Sequence, residues 1–216
     1  MKLAFVHASR AAVDPVTHYF NQQEPSWETT NLLDDGVMRA LSSGEAATTL
    51  RCLSQMIATA REEYGAEIVM LTCSAVPRDA MAQLRDKAGI PLLKIDEPMA
   101  RRAVSTGVRI GVVATFPATE ATTRRLIEEA AEEAGRSVEI LSTLEAEALR
   151  ALLAGHAAEH DKRLLDAVSS FSDRNIDALV LAQVSMARLA PEAAKLVPAP
   201  VLNSLDTSLA AIRGML

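Results

Sequence analysis

Short runs of aliphatic and β-branched residues recur along the chain, separated by longer stretches whose apolar residues return every three or four positions. The runs at 3–8, 68–72, 91–95, 108–114, 138–141, 178–182 and 200–203 are apolar almost throughout, the pattern of strands covered on both faces. Between them, Leu50, Leu53, Ile57 and Ala60 share one face of a helix expected over 45–64. Leu126, Ile127, Ala130 and Ala134 do the same over 119–134. Strands alternating with amphipathic helices predict parallel βαβ units, and therefore an α/β fold.

The pattern is written twice. Residues 67–103 (EIVMLTCSAVPRDAMAQLRDKAGIPLLKIDEPMARRA) run in parallel with 177–212 (DALVLAQVSMARLAPEAAKLVPAPVLNSLDTSLAAI), which lays Cys73 over Gln183. Upstream, LAFVHA at 3–8 lies over IGVVAT at 110–115. The expectation is two pseudo-symmetric parallel-sheet α/β domains. The first takes 1–99 plus 205–216, with the last helix (206–215) returning to it, and the second takes 100–204. A two-fold arrangement would bring the tips at Cys73 and Gln183 together across an interdomain cleft, one offering a thiol and the other an amide. Ligands of open α/β sheets bind at the carboxyl ends of strands, so the active site is expected there.

Residues 9–44 interrupt the regularity. Asp14-Pro15, Glu24-Pro25, Trp27 and Asp34-Asp35-Gly36 mark a polar, turn-rich stretch that follows a strand end. It reads as a lid or binding loop over the crevice, or as a surface excursion with a short helix packed by Trp27. Asp34 and Asp35 suit turn or cap positions.

Composition narrows the function classes. The 216 residues are 49% hydrophobic but only 3% aromatic, so the core is aliphatic. A net charge of −6 with no Lys/Arg run argues against a nucleic-acid surface, while leaving room for a small anion in a local pocket. The run at 3–8 is too short for a leader and no stretch spans a bilayer, so no membrane partner is expected. Two cysteines, Cys52 and Cys73, indicate free thiols and a reducing compartment, with the cytoplasm as the default. A homo-oligomer is left open.

A strand ending in a cysteine before small polar residues (LTCSA) is followed by a GVVAT strand with a Pro- and Thr-led helix (GVVATFPATEATTRRL). A second hydrophobic strand then precedes a PVL segment (DALVLAQVSM, PAPVLNS). Over nearly its whole length the chain thereby resembles the aspartate/glutamate/hydantoin racemase superfamily. The resemblance implies two pseudo-symmetric α/β domains and cofactor-free proton transfer at a carbon next to a carboxylate or carbonyl. Racemases of this kind place a cysteine at both strand tips. Here the first matches Cys73 and the second falls on Gln183. The related arylmalonate decarboxylases keep a single cysteine on the second tip, and a tyrosine where this chain has Phe116-Pro117.

Racemisation through a planar carbanion needs an acid–base group on each face, and a neutral glutamine supplies none. One thiol at Cys73 suffices to exchange a proton on one face, to protonate an enediolate left by decarboxylation, or to add to a double bond. A helix start from Ser74 onward, with Pro77 in its first turn, would lower the thiol pKa. Ser74 and Ala75 form one strand-to-helix turn able to stabilise an oxyanion, and Thr115 to Thr119 form another, with Thr119 also a candidate N-cap. Gln183 and Ser185 at the second tip are expected to meet the substrate, as are His7 and Ser9 after the first strand. His7 reads either as a general acid there or as a brace for the long loop. Cys52, between Leu50 and Leu53 in mid-helix, is a packing residue. His156 and His160 have i, i+4 spacing without a third ligand and read as a solvated helix face, so no metal site is expected. The expectation is a cytoplasmic, cofactor-independent racemase or isomerase acting on a small carboxylate through Cys73. The alternatives are a decarboxylase of a malonate-like acid and a non-catalytic small-carboxylate binding protein.

Overall fold

Every strand expected from the apolar runs is present, together with one that they did not announce. The computed structural model describes residues 1–216, which divide into two units, Met1–Ile95 and Asp96–Leu216. In the first, β1 (Lys2–His7), α1 (Val13–Gln23), β2 (Glu28–Leu33), α2 (Gly36–Ser42), α3 (Ala46–Glu62), β3 (Ile68–Leu71), α4 (Arg78–Ala88) and β4 (Leu92–Lys94) form a parallel sheet of order β2-β1-β3-β4 with its helices. The second begins with α5 (Glu97–Thr106), β5 (Arg109–Ala114), α6 (Pro117–Glu133), β6 (Glu139–Leu144), α7 (Ala146–Leu153) and α8 (Ala157–Ser169). It continues with β7 (Ala178–Leu181), a 3-10 helix (Val184–Leu189), α9 (Ala190–Ala193), β8 (Val201–Asn203) and α10 (Ser204–Arg213), and its sheet order is β6-β5-β7-β8. No helix is long and apolar enough to cross a membrane.

The two sheets repeat each other down to single hydrogen bonds. Leu3 pairs with Ile68 as Ile110 pairs with Ala178, and Lys2 pairs with Glu28 as Arg109 pairs with Glu139. The Lys2–Glu28 ion pair (3.6 Å) recurs as Arg109–Glu139 (3.2 Å). At the start of the central strand an acid one residue ahead of the neighbouring strand accepts a backbone N–H: Glu67 from Lys2 at 2.6 Å, Asp177 from Arg109 at 2.8 Å. At the other end, Thr72 N–H donates to Val6 carbonyl as Ala182 N–H donates to Val113 carbonyl. A one-residue slip would turn every side chain to the opposite face, so equal registers make Cys73 and Gln183 equivalent positions.

Residues 9–44 do not form a lid. They fold into a short 3-10 helix (Arg10–Ala12), then α1, β2 and α2, and complete the first βαβ unit. The reason is aromatic packing. Phe20 of α1 is fully buried with its ring 5.1 Å from Phe5 of β1, and Trp27 closes over Phe20 at 6.5 Å. The strand β2 (ETTNLL) escapes a hydrophobicity reading because it is an edge strand whose residues are exposed or only half-buried. Its counterpart β6 (EILSTL) carries the signal that would have located it.

The terminal helix also departs from expectation. α10 buries Leu205, Leu209 and Ile212, packs on α5 and on β8, and so groups with the second unit rather than the first. The division falls at Ile95 and Asp96 because α5 itself buries Met99, Ala100 and Ala103 in the core shared with β5 and α6.

Asp177 offers a test of how the second sheet is pinned. Its carboxylate accepts the N–H groups of Arg109 (2.8 Å) and Val108 (2.7 Å), and these bonds hold it below the usual carboxylate range. Gly107 makes room for it, since a Cβ there would lie 2.1 Å from Asp177 Cβ. A depressed carboxyl stabilises the fold above its unfolded pKa, and that contribution is lost as pH falls through the folded value. Asp177→Asn is therefore expected to lower the urea midpoint near neutral pH, with the gap to wild type closing below about pH 4. A gap that persisted into acid would assign the loss to packing instead.

Candidate functional site

In the first unit, β3 delivers Cys73 to the carboxyl edge of the sheet. The residue is 8% exposed, lies in the apolar cluster with Val76, Ala80 and Met81, and directs its thiol at Met38 Sδ of α2, 3.7 Å away. Ser74 and Ala75 form a turn, Pro77 is the N-cap, and Arg78 is the first residue of α4. Cys73 thus stands outside the first helical turn, within which a helix dipole acts on a side chain. The helix-start setting expected from sequence is replaced by a turn, with Ser74 half-buried and Ala75 exposed.

Behind the thiol stands a hydrogen-bonded file that ends on the residue before it. His7 is fully buried, and its Nε2 lies 2.8 Å from Asn31 Oδ1 of β2, which also accepts from the Thr17 hydroxyl at 2.9 Å. Asn31 Oδ1 is an acceptor, so Nε2 carries the proton. Nδ1 then accepts from the Thr72 hydroxyl at 2.8 Å. Burial pushes the His7 pKa down, and the Asn31 hydrogen bond opposes this in part. With both nitrogens engaged and no exposed surface, His7 braces β1 against β2 and β3 instead of meeting a ligand. Ser9 is likewise occupied, its hydroxyl capping the short 3-10 helix by accepting Ala11 N–H at 3.4 Å.

In the second unit the equivalent edge is built differently. Thr115 follows β5 with 2% exposure, and both its N–H (2.8 Å) and its hydroxyl (2.9 Å) donate to Gln183 Oε1. Thr115 was expected to meet the ligand directly; its two donors turn instead to Gln183. Thr119 is not the N-cap of α6, because Pro117 opens the helix and leaves Phe116 in the cap position. Gln183 leads directly into the 3-10 helix, which places half-buried Ser185 in its first turn. That helix is clamped by Arg188, whose guanidinium forks onto Asp161 of α8 and holds that carboxyl below its usual range. Asp161 also meets Nδ1 of His160 at 2.8 Å.

Other candidates fall away on position. Cys52 is half-buried in α3 and packs against the core. His156 is exposed, whereas His160, expected on a solvated face, is buried because α8 turns it toward the core. No group of three or more His, Cys, Asp or Glu side chains is arranged to hold a metal. A groove of about 320 Å³ between α5 and α6, lined by Arg101, Val104 and Ala130, lies toward the amino ends of the strands, the wrong edge for Thr115 and Gln183. Sequence reasoning missed Met38, Asn31 and Thr72. A buried His7 beside a polar edge strand was the available signal for the last two, and Met38 carried none.

The family model described as Asp/Glu/Hydantoin racemase matches residues 29–212, which include Cys73, Thr115 and Gln183. Allantoin racemase from Klebsiella pneumoniae has a similar structure, with a TM-score of 0.72 at 16% identity, covering 100% of this chain and 87% of that one. Glutamate racemase from Aquifex pyrophilus gives 0.60 at 19% identity, with 100% and 84% covered. Unliganded arylmalonate decarboxylase gives 0.62 at 14% identity, with 98% and 91% covered. Likeness at this identity speaks for the fold. No curated protein matches the chain by sequence.

The His7 brace has a pH signature. Its lowered pKa costs nothing above the unfolded value of about 6.5, where both states are neutral. As pH falls from there toward the folded value, the unfolded chain binds the proton more readily and stability drops. His7→Gln is expected to flatten this part of the profile, so that the wild-type urea midpoint falls more steeply than the variant's between about pH 7 and 5.5. Parallel profiles would show that His7 is not held neutral.

Proposed function

The chain belongs to the Asp/Glu/hydantoin racemase family of isomerase-type enzymes, and on that premise we propose that it transfers a proton, without a cofactor, at the carbon next to the carboxylate of a small acid. Cys73 is the acid–base group. The observation that carries the reading is the asymmetry of the two equivalent strand tips, a thiol at Cys73 and an amide committed to Thr115 at Gln183.

In the forward step the Cys73 thiolate takes the α-proton, the Cα–H electron pair moves into the carboxylate to give an enediolate, and S–H replaces C–H. The turn at Ser74 and Ala75 offers backbone N–H groups for the charge that develops on oxygen. Return of the proton from the same sulfur restores the starting configuration. With one sulfur both taking and returning the proton, inversion is slow relative to exchange. The same asymmetry favours decarboxylation of a malonate-like acid as a second reading. Loss of carbon dioxide leaves an enediolate that needs a single donor, and one thiol provides it.

Incubation with amino, hydroxy, hydantoin and malonic acids in deuterium oxide separates these readings. Exchange of the α-hydrogen with retention, much faster than racemisation, is expected for the wild type. Cys73→Ala is expected to lower exchange by about 10²–10⁴-fold, the usual contribution of a positioned acid–base group. Exchange that survives Cys73→Ala would remove Cys73 from the reaction, and wild-type inversion in step with exchange would remove the one-sided mechanism. Release of carbon dioxide from a malonic acid with a protonated product would select the second reading. Binding of acids without any exchange or decarboxylation would favour a carboxylate-binding protein.

A further inference from the structure

We infer that Thr115 is a positioning residue, and that the second strand tip recognises its ligand through the amide nitrogen of Gln183. The tip is a neutral donor for a carbonyl or carboxylate oxygen. The inference rests on the proposed binding of a small carboxylate, and adds how the second tip reads it.

The amide orientation follows from the backbone. Thr115 N–H can point only at an acceptor, and it lies 2.8 Å from the Gln183 side chain, so the oxygen faces Thr115 and the nitrogen faces away. The Thr115 hydroxyl, at 2.9 Å from the same oxygen, occupies its second lone pair. Gln183 Oε1 is thereby saturated. Its NH2 group makes no hydrogen bond within the protein, although the side chain is only half-exposed at the carboxyl edge of the sheet. A ligand oxygen arriving at Nε2 gains a donor without displacing anything. One arriving at the buried Thr115 N–H must first break two hydrogen bonds.

The corresponding positions in the first unit show that this device is particular to the second. There the residue equivalent to Thr115 is Ala8, which has no hydroxyl, and the residue equivalent to Gln183 is Cys73. The Arg188–Asp161 fork fixes the 3-10 helix whose N-cap is Gln183, so the main chain carrying the amide is held as well as its oxygen. The product is a preset donor that carries no charge and does not titrate. It suits a planar acceptor group better than a point cation would, since it imposes a direction on the oxygen that it meets.

The test is a titration of the intact chain with sodium acetate, followed by the side-chain NH2 signals of Gln183 and the backbone N–H of Thr115 in ¹⁵N-resolved spectra. Gln183 signals are assigned by their loss in Gln183→Glu. Acetate is expected to shift the Gln183 NH2 pair and to leave Thr115 N–H nearly in place. Thr115→Val keeps the backbone donor and loses the hydroxyl. It should weaken acetate binding by about five- to ten-fold and move the resting Gln183 NH2 signals toward those of a free amide, and Thr115→Ser should restore both, a rescue that loss of packing alone would not give. Gln183→Glu, which turns the donor into an acceptor, should weaken acetate by at least about ten-fold.

A large shift of Thr115 N–H would overturn the proposal, as would tighter acetate binding by Gln183→Ala, because either result means that the ligand takes the place of Gln183 Oε1. An absence of response to saturating acetate would also overturn it. In the wild type, a Gln183 response to acetate with no proton exchange on any acid fails the reaction alone, whereas exchange accompanied by a Thr115 response fails this inference alone. Cys73→Ala is expected to lose exchange and to keep the Gln183 response.

Discussion

Everything at the carboxyl edge of these sheets inherits its position from the register of the central strand pair, β1 with β3 and β5 with β7. Parallel strands joined through helices have no hairpin turn to fix their alignment, so the register must be set by side chains and core packing. Here it is fixed at both ends. Glu67 and Asp177 accept a backbone N–H at the start of the central strand, and a backbone bond from Thr72 or Ala182 closes the far end. Between these points the residues of β3 and β7 are buried without exception, which makes a slip costly on both faces. Such a frame tolerates change at its tips, because the register does not depend on which residue comes after Thr72 or Ala182.

The two copies have used that freedom differently. At the first tip the polar side chains lie behind Cys73: His7, Thr72 and Asn31 satisfy one another, and the thiol meets Met38 sulfur at the edge of the apolar cluster. At the second tip the polar groups stand at the reactive position itself, where Thr115 and Gln183 are paired. The difference resides in Ala8 against Thr115 and Cys73 against Gln183.

Much of this was legible in the sequence, and the failures have physical causes. Buried parallel strands write continuous apolar runs, so β3, β5 and β7 were evident, and the repeat alone placed Cys73 over Gln183. The edge strand β2 was invisible because an edge needs no apolar run, and Phe20, whose burial on Phe5 organises residues 9–44, looked like one aromatic among turn residues. Helix starts were read too late at Thr119 and too early after Cys73. In the first case Pro117 supplies the fixed backbone angle that begins a helix, and in the second Pro77 sits one position before it. The roles of His7 and Thr115 could not be read, since a residue at a strand end declares its chemistry but not the partner to which its donors turn.

An amide at the second tip sets the resting state of that tip. A buried backbone N–H without an acceptor is costly, and a cysteine at position 183 would be a poor acceptor for Thr115, leaving that N–H to water or to a bound anion. Glutamine removes the deficit within the protein, since its oxygen takes both Thr115 donors. The second tip is then satisfied before a ligand arrives, and ligand binding is relieved of the task of completing the fold. A tip of this construction gains order within the protein and carries no group that titrates at ordinary pH.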